Sequence, residues 1–166
     1  MRRITTIFVG LFGAASLLIG GASIVSAHSS HPLLAFDSMT PVSGGAVGTP
    51  NDRGITGGGK PWVIASGKGE VDRNGSVHVT VSGLVIPVTP FNGTNPAPMF
   101  GATVSCVTPH RIVNLPTGTA PATSAGDATI DGVVRLPNPC KDPILFVTSP
   151  TGAWFAMSNG DDSEAD

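Results

Sequence analysis

Apolar and polar residues alternate with a period of two along several short stretches of this chain. In residues 76–85 (SVHVTVSGLV) the first three valines fall on one side of an extended backbone, and His78 and Thr80 fall on the other. Residues 100–107 and 127–136 alternate in the same way. Such alternation is typical of β-strands with one buried face. No stretch beyond the N-terminal segment keeps the apolar spacing of a helix, so the pattern predicts an all-β protein.

Turn signals connect these stretches into an antiparallel arrangement. The sequence DRNG at 72–75 predicts a hairpin that joins Trp62–Val71 to Ser76–Ile86. Residues Ile144–Val147 are apolar on both faces, which indicates a central strand. About six to eight short strands, separated by turns rich in Gly and Pro, predict an antiparallel β-sandwich over residues 61–158.

The segments that flank this region are less regular. Residues 28–60 are predicted to form a flexible N-terminal segment, with Leu33–Phe36 as a candidate edge strand and Pro41–Lys60 as a mobile loop. Residues 159–166 carry four acidic side chains and are predicted to be a disordered acidic tail.

The N-terminus has the pattern of a secretory signal peptide. Arg2 and Arg3 precede an uncharged, apolar stretch from Ile4 to Ala22, and small residues follow at Val25-Ser26-Ala27. Cleavage after Ala27 would release a secreted, extracellular protein with no membrane span. The alternative is an uncleaved membrane anchor, because the apolar stretch is about long enough to cross a bilayer.

The composition narrows the function classes. Hydrophobic residues make up 40% of the chain and charged residues 12%, which favours a packed domain. Loss of Arg2 and Arg3 with the signal peptide would leave seven basic and eleven acidic residues. The remaining chain has no basic patch, so it is not expected to bind nucleic acid.

The two cysteines of the chain, Cys106 and Cys140, are predicted to form a disulfide, as expected in an oxidising compartment. The loop that they close spans about 35 residues, which the chain-entropy model values at roughly 4 kcal/mol. The alternative is a pair of reactive or metal-binding thiols, for which no ligand cluster lies nearby in the sequence.

Residues 54–61 (GITGGGKP) come within one residue of the phosphate-binding loop G-x-x-x-x-G-K-[ST]. In that loop a hydroxyl side chain follows the lysine and a helix begins there. Here Pro61 follows Lys60, and the next residues, WVIAS, have a strand pattern. We therefore expect no nucleotide, and we expect these glycines to allow a close approach of the backbone to another element or to flex.

No resident cofactor is expected, with copper as the one alternative. After cleavage, His28 would offer both its α-amino group and its imidazole, which suit Cu(II). His31, His78 or His110 could add a second imidazole. Secreted copper proteins with a β-sandwich fold, such as lytic polysaccharide monooxygenases, use an N-terminal histidine in this way, and the similarity covers that residue and the predicted fold.

Two pairs of carboxylates are candidates for hydrolytic chemistry. Asp127 and Asp131 share a strand face, but a rise of about 3.3 Å per residue puts their Cα atoms roughly 13 Å apart, beyond the spacing of glycosidase pairs. Glu70 and Asp72 are closer, at about 7 Å, and are the candidate pair for a secreted hydrolase. Asp72 also begins a pattern similar to a calcium loop, in which Gly83 stands where a bidentate Glu is required, so a turn is the better interpretation.

Aromatic residues could form a platform for sugar stacking or belong to the core. The set comprises Trp62, Phe100, Phe146, Trp154 and Phe155. Since these residues lie within apolar strand patterns, the core is favoured. Trp62 is the candidate binding residue.

A longer set of motifs resembles an uncharacterised family of small secreted bacterial β-proteins of actinobacterial type. The motifs are GGGKPWVI, HVTVSGLVIP, NPAPMFGATVSC, AGDATIDG, LPNPC and PILFVTSPTGAWF, between Arg53 and Phe155. The resemblance implies that this body, with its pair Cys106 and Cys140, is the shared unit, and His28 lies outside it. It implies no activity, ligand or catalytic residue.

Taken together, the sequence predicts a secreted, non-catalytic β-sandwich protein of unknown partner that acts in binding or in the cell envelope. The alternatives are a copper-binding protein that uses His28 and a hydrolase that uses Glu70 and Asp72.

Overall fold

The computed structural model describes residues 32–160, which are almost entirely β-structure. Beyond the strands, the regular structure in this range is one short 3₁₀ turn, Gly44–Ala46. The nine strands are β1 Leu34–Phe36, β2 Met39–Pro41, β3 Ser66–Val71, β4 Ser76–Ser82, β5 Met99–Val107, β6 Ile112–Pro121, β7 Ala128–Val133, β8 Lys141–Thr148 and β9 Trp154–Ser158. Within residues 32–160, no helix is long and apolar enough to cross a membrane.

The strands form two antiparallel sheets. Sheet A has the order β1-β3-β4-β7, and sheet B has the order β2-β9-β8-β5-β6. The inward residues of both sheets pack against each other as one hydrophobic core. The predicted antiparallel β-sandwich is therefore confirmed. Strands β3 to β9 lie within the predicted range 61–158, and β1 and β2, which are three residues long, precede it.

The segment that precedes the predicted domain bridges the two sheets. Leu34–Phe36 pairs with β3 in sheet A, and Met39–Pro41 pairs with β9 in sheet B. Leu34, Phe36 and Met39 are buried, so the chain buries apolar side chains on both sides of the corner at Asp37. The candidate edge strand is present as β1, and the packed core begins at Leu34, well before the boundary expected at residue 61.

The hairpin predicted at 72–75 is confirmed. Glu70 lies opposite His78 and Val71 lies opposite Val77 in the ladder between β3 and β4. The turn is closed by a hydrogen bond from the Gly75 N–H to the Asp72 carbonyl, 2.9 Å long. Gly75 has a φ of +92°, a backbone conformation that favours glycine. This turn fixes which residues of β3 and β4 share a face.

The aromatic residues lie inside the protein, as the strand patterns favoured. Trp62 stacks on Phe155 with ring centroids 4.1 Å apart, and Phe100 meets both rings edge to face. Phe146 and Trp154 form a second edge-to-face pair, 5.9 Å apart. Each of the five side chains is at most 6% exposed.

The predicted disulfide between Cys106 and Cys140 is present. Cys106 lies near the end of β5 and is fully buried, and Cys140 directly precedes β8. The bond therefore ties two neighbouring strands of sheet B together at one end.

Residues 42–60 cover part of the outer face of sheet B. Val42 and Ile55 are buried in the core cluster. Trp154, at the start of β9, donates its N–H to the Thr56 carbonyl (3.0 Å), and its own carbonyl accepts from the Gly58 N–H (2.8 Å). These bonds hold the segment against the sheet as an irregular third layer.

The glycines of the sequence similar to a phosphate loop serve this packing. A side chain at Gly57 would collide with the Ala46 carbonyl, and one at Gly58 would lie 3.0 Å from the Trp62 indole nitrogen. Pro61 and Trp62 then continue into the core without a helix. The expectation of a close backbone approach at these glycines is confirmed.

Candidate functional site

A row of three titratable side chains crosses the outer face of sheet A. Glu70 on β3 lies opposite His78 on β4, and His78 lies opposite Asp131 on β7. All three residues are exposed, because each alternates along its strand with residues that point to the core. Residues directly opposite in an antiparallel ladder have Cβ atoms about 5 Å apart, so their side chains can interact.

The pair of His78 and Asp131 is held by a short hydrogen bond. The imidazole Nδ1 lies 2.6 Å from Oδ1 of Asp131, and the side chains are 53% and 71% exposed, respectively. An ionised carboxylate accepts hydrogen bonds and cannot donate, so Nδ1 carries the proton that it donates to Asp131. This fixes the orientation of the ring and leaves Nε2 directed away from the carboxylate.

The same side chains line one open depression of about 440 Å³. Its lining includes the carboxylates of Glu70, Asp72 and Asp131, the His78 imidazole and the apolar side chain of Val133, and it includes no Lys or Arg. Across residues 32–160, the contact of His78 with Asp131 is the one contact within 4 Å between a basic and an acidic side chain, and it is an ion pair only when the imidazole is protonated. Glu70 and Asp72 therefore carry negative charge with no cationic partner in the described part of the chain.

A second shallow depression continues this surface toward β1. Glu70 and His78 line both depressions, and the second adds Asp37, Gly69 and Lys68. Lys68 is the cationic side chain of this neighbouring area. The surface formed by Asp37, Glu70, Asp72, His78 and Asp131 is hereafter called the acidic face.

Asp127 has a structural role at the edge of sheet A. Its carboxylate accepts hydrogen bonds from the Ser82 hydroxyl (2.8 Å) and from the Gly83 N–H (3.0 Å). These bonds, together with a longer one from Thr123, lower the pKa of Asp127 below its ordinary value of 3.8. The carboxylate thus joins the end of β4 to the start of β7, and it belongs to a different environment from Asp131.

The structure distributes the predicted site residues unevenly. Glu70 and Asp72, the candidate hydrolase pair, line the same depression. Trp62, the candidate binding residue, is 4% exposed and stacked on Phe155, so it holds the core position favoured for the aromatic set and does not present its ring to a ligand. The indole is drawn inward because burial of a large ring beside Phe155 removes much apolar surface from water.

The turn that the sequence favours over a calcium loop at Asp72 is present in the structure. The Asn74 side-chain oxygen accepts a hydrogen bond from the Ser76 N–H, 2.8 Å long. Asn74 therefore stabilises the chain reversal between β3 and β4.

The copper prediction depends on residues outside the described range. His28 and His31 both lie before residue 32. Among residues 32–160, no group of three or more His, Cys, Asp or Glu side chains is arranged to hold a metal ion. The other two candidate imidazoles belong to different sheets: His78 lies on β4 of sheet A, and His110 lies in the turn between β5 and β6 of sheet B. Copper binding at His28 stays a prediction.

Sequence reasoning missed the contact between His78 and Asp131. The alternation correctly placed both residues on polar strand faces, but the pairing of β4 with β7 joins strands 46 residues apart in the chain. A period of two shows which side of its own strand a residue occupies, and it carries no information on the register between distant strands.

Comparisons of this chain with protein-family models, with curated proteins and with solved structures find no match. The description of the candidate site therefore rests on the positions of its residues in this structure.

Proposed function

We propose that this chain is a secreted, non-catalytic binding protein whose acidic face recognises a cationic ligand, such as a lysine-rich segment of a partner in the cell envelope. The observation that carries the proposal is the depression lined by Glu70, Asp72 and Asp131 without a Lys or Arg. A ligand with positive charge would supply the counter-charge that Glu70 and Asp72 lack among the described residues.

The arrangement of the face supports recognition of an extended ligand. Both depressions lie on strands of one sheet and share Glu70 and His78, so they form a continuous surface from β1 to β7. Val133 at one end is 75% exposed and offers an apolar contact beside the carboxylates. A ligand that carries cationic and aliphatic groups, as lysine side chains do, matches this combination.

Binding is favoured over hydrolysis because the depression is open to solvent. General acid–base catalysis relies on groups that are organised around a bound substrate and shielded from bulk water. His78 and Asp131 are each more than half exposed and lie on a flat strand surface. The Ser76 side chain on the same face makes no hydrogen bond to His78, so a serine nucleophile with an aligned base is not formed there.

Secretion is supported by two independent features. The N-terminal sequence has the arrangement of a cleavable signal peptide. The bond between Cys106 and Cys140 is of the kind that persists in oxidising compartments.

Calorimetric titration of the secreted chain with a lysine hexapeptide tests this proposal. We expect binding that weakens with added salt, because exposed charges are screened within about 10 Å at 0.1 M ionic strength. The double variant Glu70→Gln/Asp72→Asn should weaken binding by about tenfold, which corresponds to roughly 1.4 kcal/mol. The matched control is Asp52→Asn, an exposed acid in the loop over sheet B. Equal affinity of the double variant and the wild type, or an equal loss in the control, would contradict the proposal.

A further inference from the structure

Two turns of this protein contain almost the same tripeptide. Residues 74–76 (Asn-Gly-Ser) lie in the hairpin between β3 and β4, and residues 92–94 (Asn-Gly-Thr) lie in the loop between β4 and β5. Asn74 and Asn92 are both exposed. An Asn-Gly pair is the dipeptide most prone to deamidation, because glycine has no side chain to hinder the attack of its own nitrogen on the amide.

Deamidation is a ring closure that needs no cofactor. The deprotonated backbone nitrogen of the glycine attacks the side-chain carbon Cγ of the asparagine, so that an N–Cγ bond forms and the Cγ–Nδ2 bond breaks with release of ammonia. Water then opens the five-membered succinimide at either carbonyl. One product is aspartate, and the other is isoaspartate, in which the chain continues through the former side chain. Nothing is oxidised or reduced, but the amide must turn toward the following nitrogen.

The amide of Asn74 is held in place. Its Oδ1 accepts a hydrogen bond from the Ser76 N–H at 2.8 Å, a length within the ordinary range. Gly75 is buried, and its carbonyl accepts from the Val134 N–H at 2.9 Å. A side chain at Gly75 would collide with the Val134 carbonyl. This turn therefore lies closely against residue 134 and has little room to rearrange.

The amide of Asn92 is held weakly. Its Oδ1 accepts from the Thr89 hydroxyl at 3.3 Å, and its Nδ2 donates to the Pro90 carbonyl, also at 3.3 Å. Both distances are longer than the ordinary ranges for such bonds. Gly93 is exposed, and nothing lies within 4 Å of a carbon added there. The amide can therefore turn, and the glycine has room to move with it.

The glycine nitrogens do not distinguish the two turns. The Gly75 N–H donates to the Asp72 carbonyl and the Gly93 N–H donates to the Ile86 carbonyl, each at 2.9 Å. The two turns differ in how firmly the asparagine amide is bonded and in how closely the glycine is packed.

We propose that Asn92 is a site of spontaneous deamidation in the folded protein, whereas the fold protects Asn74. The reaction takes water as its substrate and releases ammonia. The site lies in the loop between β4 and β5, outside the acidic face, and does not depend on the proposed function.

Deamidation at position 92 changes both the charge and the backbone of this loop. Either product carries a carboxylate, which adds one negative charge. The Asn92 N–H donates to the Val88 carbonyl at 3.1 Å, and the Gly93 N–H donates to the buried Ile86 at 2.9 Å. Isoaspartate places one more carbon atom between these two N–H groups. The loop must then shift, and its attachment to Ile86 is weakened.

Peptide mapping by mass spectrometry, after incubation of the folded chain in mildly alkaline buffer, measures both sites. Replacement of NH₂ by OH raises the mass of the peptide by about 1 Da. We expect Asn92 to deamidate about tenfold faster than Asn74, since the amide of Asn74 must first break its hydrogen bond to the Ser76 N–H.

The reduced chain unfolded in guanidinium chloride is the matched control. The two rates should be similar there, because the two tripeptides differ by one methyl group. Asn92→Gln keeps an exposed amide but would need a larger ring, so it should remove the signal at position 92 and leave the rate at Asn74 unchanged. The proposal is overturned if folding slows Asn92 and Asn74 by the same factor, or if Asn74 is the faster site in the folded chain.

Discussion

The outer faces of the two sheets differ although both sheets contribute to the same core. On sheet A the outward residues of the central strand β4, such as His78 and Thr80, meet solvent directly. On sheet B the outward residues of β8 and β5, such as Phe146 and Ser105, are at most 1% exposed. The difference arises because residues 42–60 cover part of sheet B and leave sheet A uncovered.

This contrast explains two kinds of strand sequence. A strand with one covered face alternates apolar and polar residues, as in the β4 sequence SVHVTVS. A strand with both faces covered becomes apolar throughout, as in the ILFV part of β8. The titratable side chains of β3, β4 and β7 therefore lie on the uncovered face of sheet A, where they remain hydrated.

Phe146→Ala should have the largest effect on stability. Phe146 points to the outer face of sheet B, yet it is 1% exposed and packs against Trp154. Truncation of a buried phenylalanine costs about 3–5 kcal/mol, because contacts are lost and a cavity remains. Urea unfolding of the variant measures this loss.

The matched control is Val133→Ala on the outer face of sheet A. Val133 is 75% exposed, so we expect a change within about 0.5 kcal/mol. Similar losses for the two variants would mean that the outer faces are equally buried in solution.

Gly57→Ala tests the packing of the covering segment, residues 42–60, on sheet B. The added methyl group would meet the Ala46 carbonyl and lie 2.8 Å from the Val42 side chain, so the covering segment must shift. Overpacking of this kind costs typically 1–3 kcal/mol. Gly59→Ala is the control, because nothing lies within 4 Å of its added carbon. Thermal unfolding of both variants compares them, and an equal Tm for the two would show that the segment does not pack closely at Gly57.

Asp127→Asn should have a smaller effect that depends on pH. The hydrogen bonds from Ser82 and Gly83 hold the pKa of Asp127 below its ordinary value of 3.8. The ionised carboxylate thus stabilises the fold fully above pH 3.8, and this contribution is lost as the pH falls through the lowered pKa. Urea unfolding at pH 7 should show the variant to be less stable than the wild type, and the difference should shrink near pH 2. A difference that is independent of pH would exclude this role.

His78→Ala should change stability least. The imidazole is half exposed, and its hydrogen bond to Asp131 lies on the surface, where such pairs contribute about 0–1 kcal/mol. We expect a loss of less than about 0.5 kcal/mol by urea unfolding. A loss above 2 kcal/mol would show that the row of Glu70, His78 and Asp131 stabilises the fold. The presence of these side chains on the surface would then be explained by stability, without a ligand.

The sequence was sufficient to predict the elements that depend on residues close together in the chain. The alternation in β4, β5 and β7, the hairpin at 72–75 and the disulfide were all predictable, because each depends on neighbouring residues or on the two available cysteines. The packing of residues 42–60 on sheet B was not predictable. It depends on the absence of side chains at Gly57 and Gly58, where Ala46 and Trp62 approach the backbone, and these contacts are visible only in the folded structure.

The candidate site shows the same limit. The sequence indicates Glu70 and Asp72 as a pair because they are two residues apart. Their association with His78 and Asp131 depends on the register of three strands, which involves residues up to 61 positions apart. That register is set by the packing of the whole core and not by any local pattern.

The most direct test of the binding role that we propose for the acidic face is an NMR titration of the isotopically labelled chain with the lysine hexapeptide. The account predicts that backbone amide signals of Glu70, His78 and Asp131 shift progressively, whereas those of Ser105 and Phe146 under the covering segment stay unchanged. Shifts confined to sheet B, or no shifts at all at millimolar peptide and low salt, would contradict it.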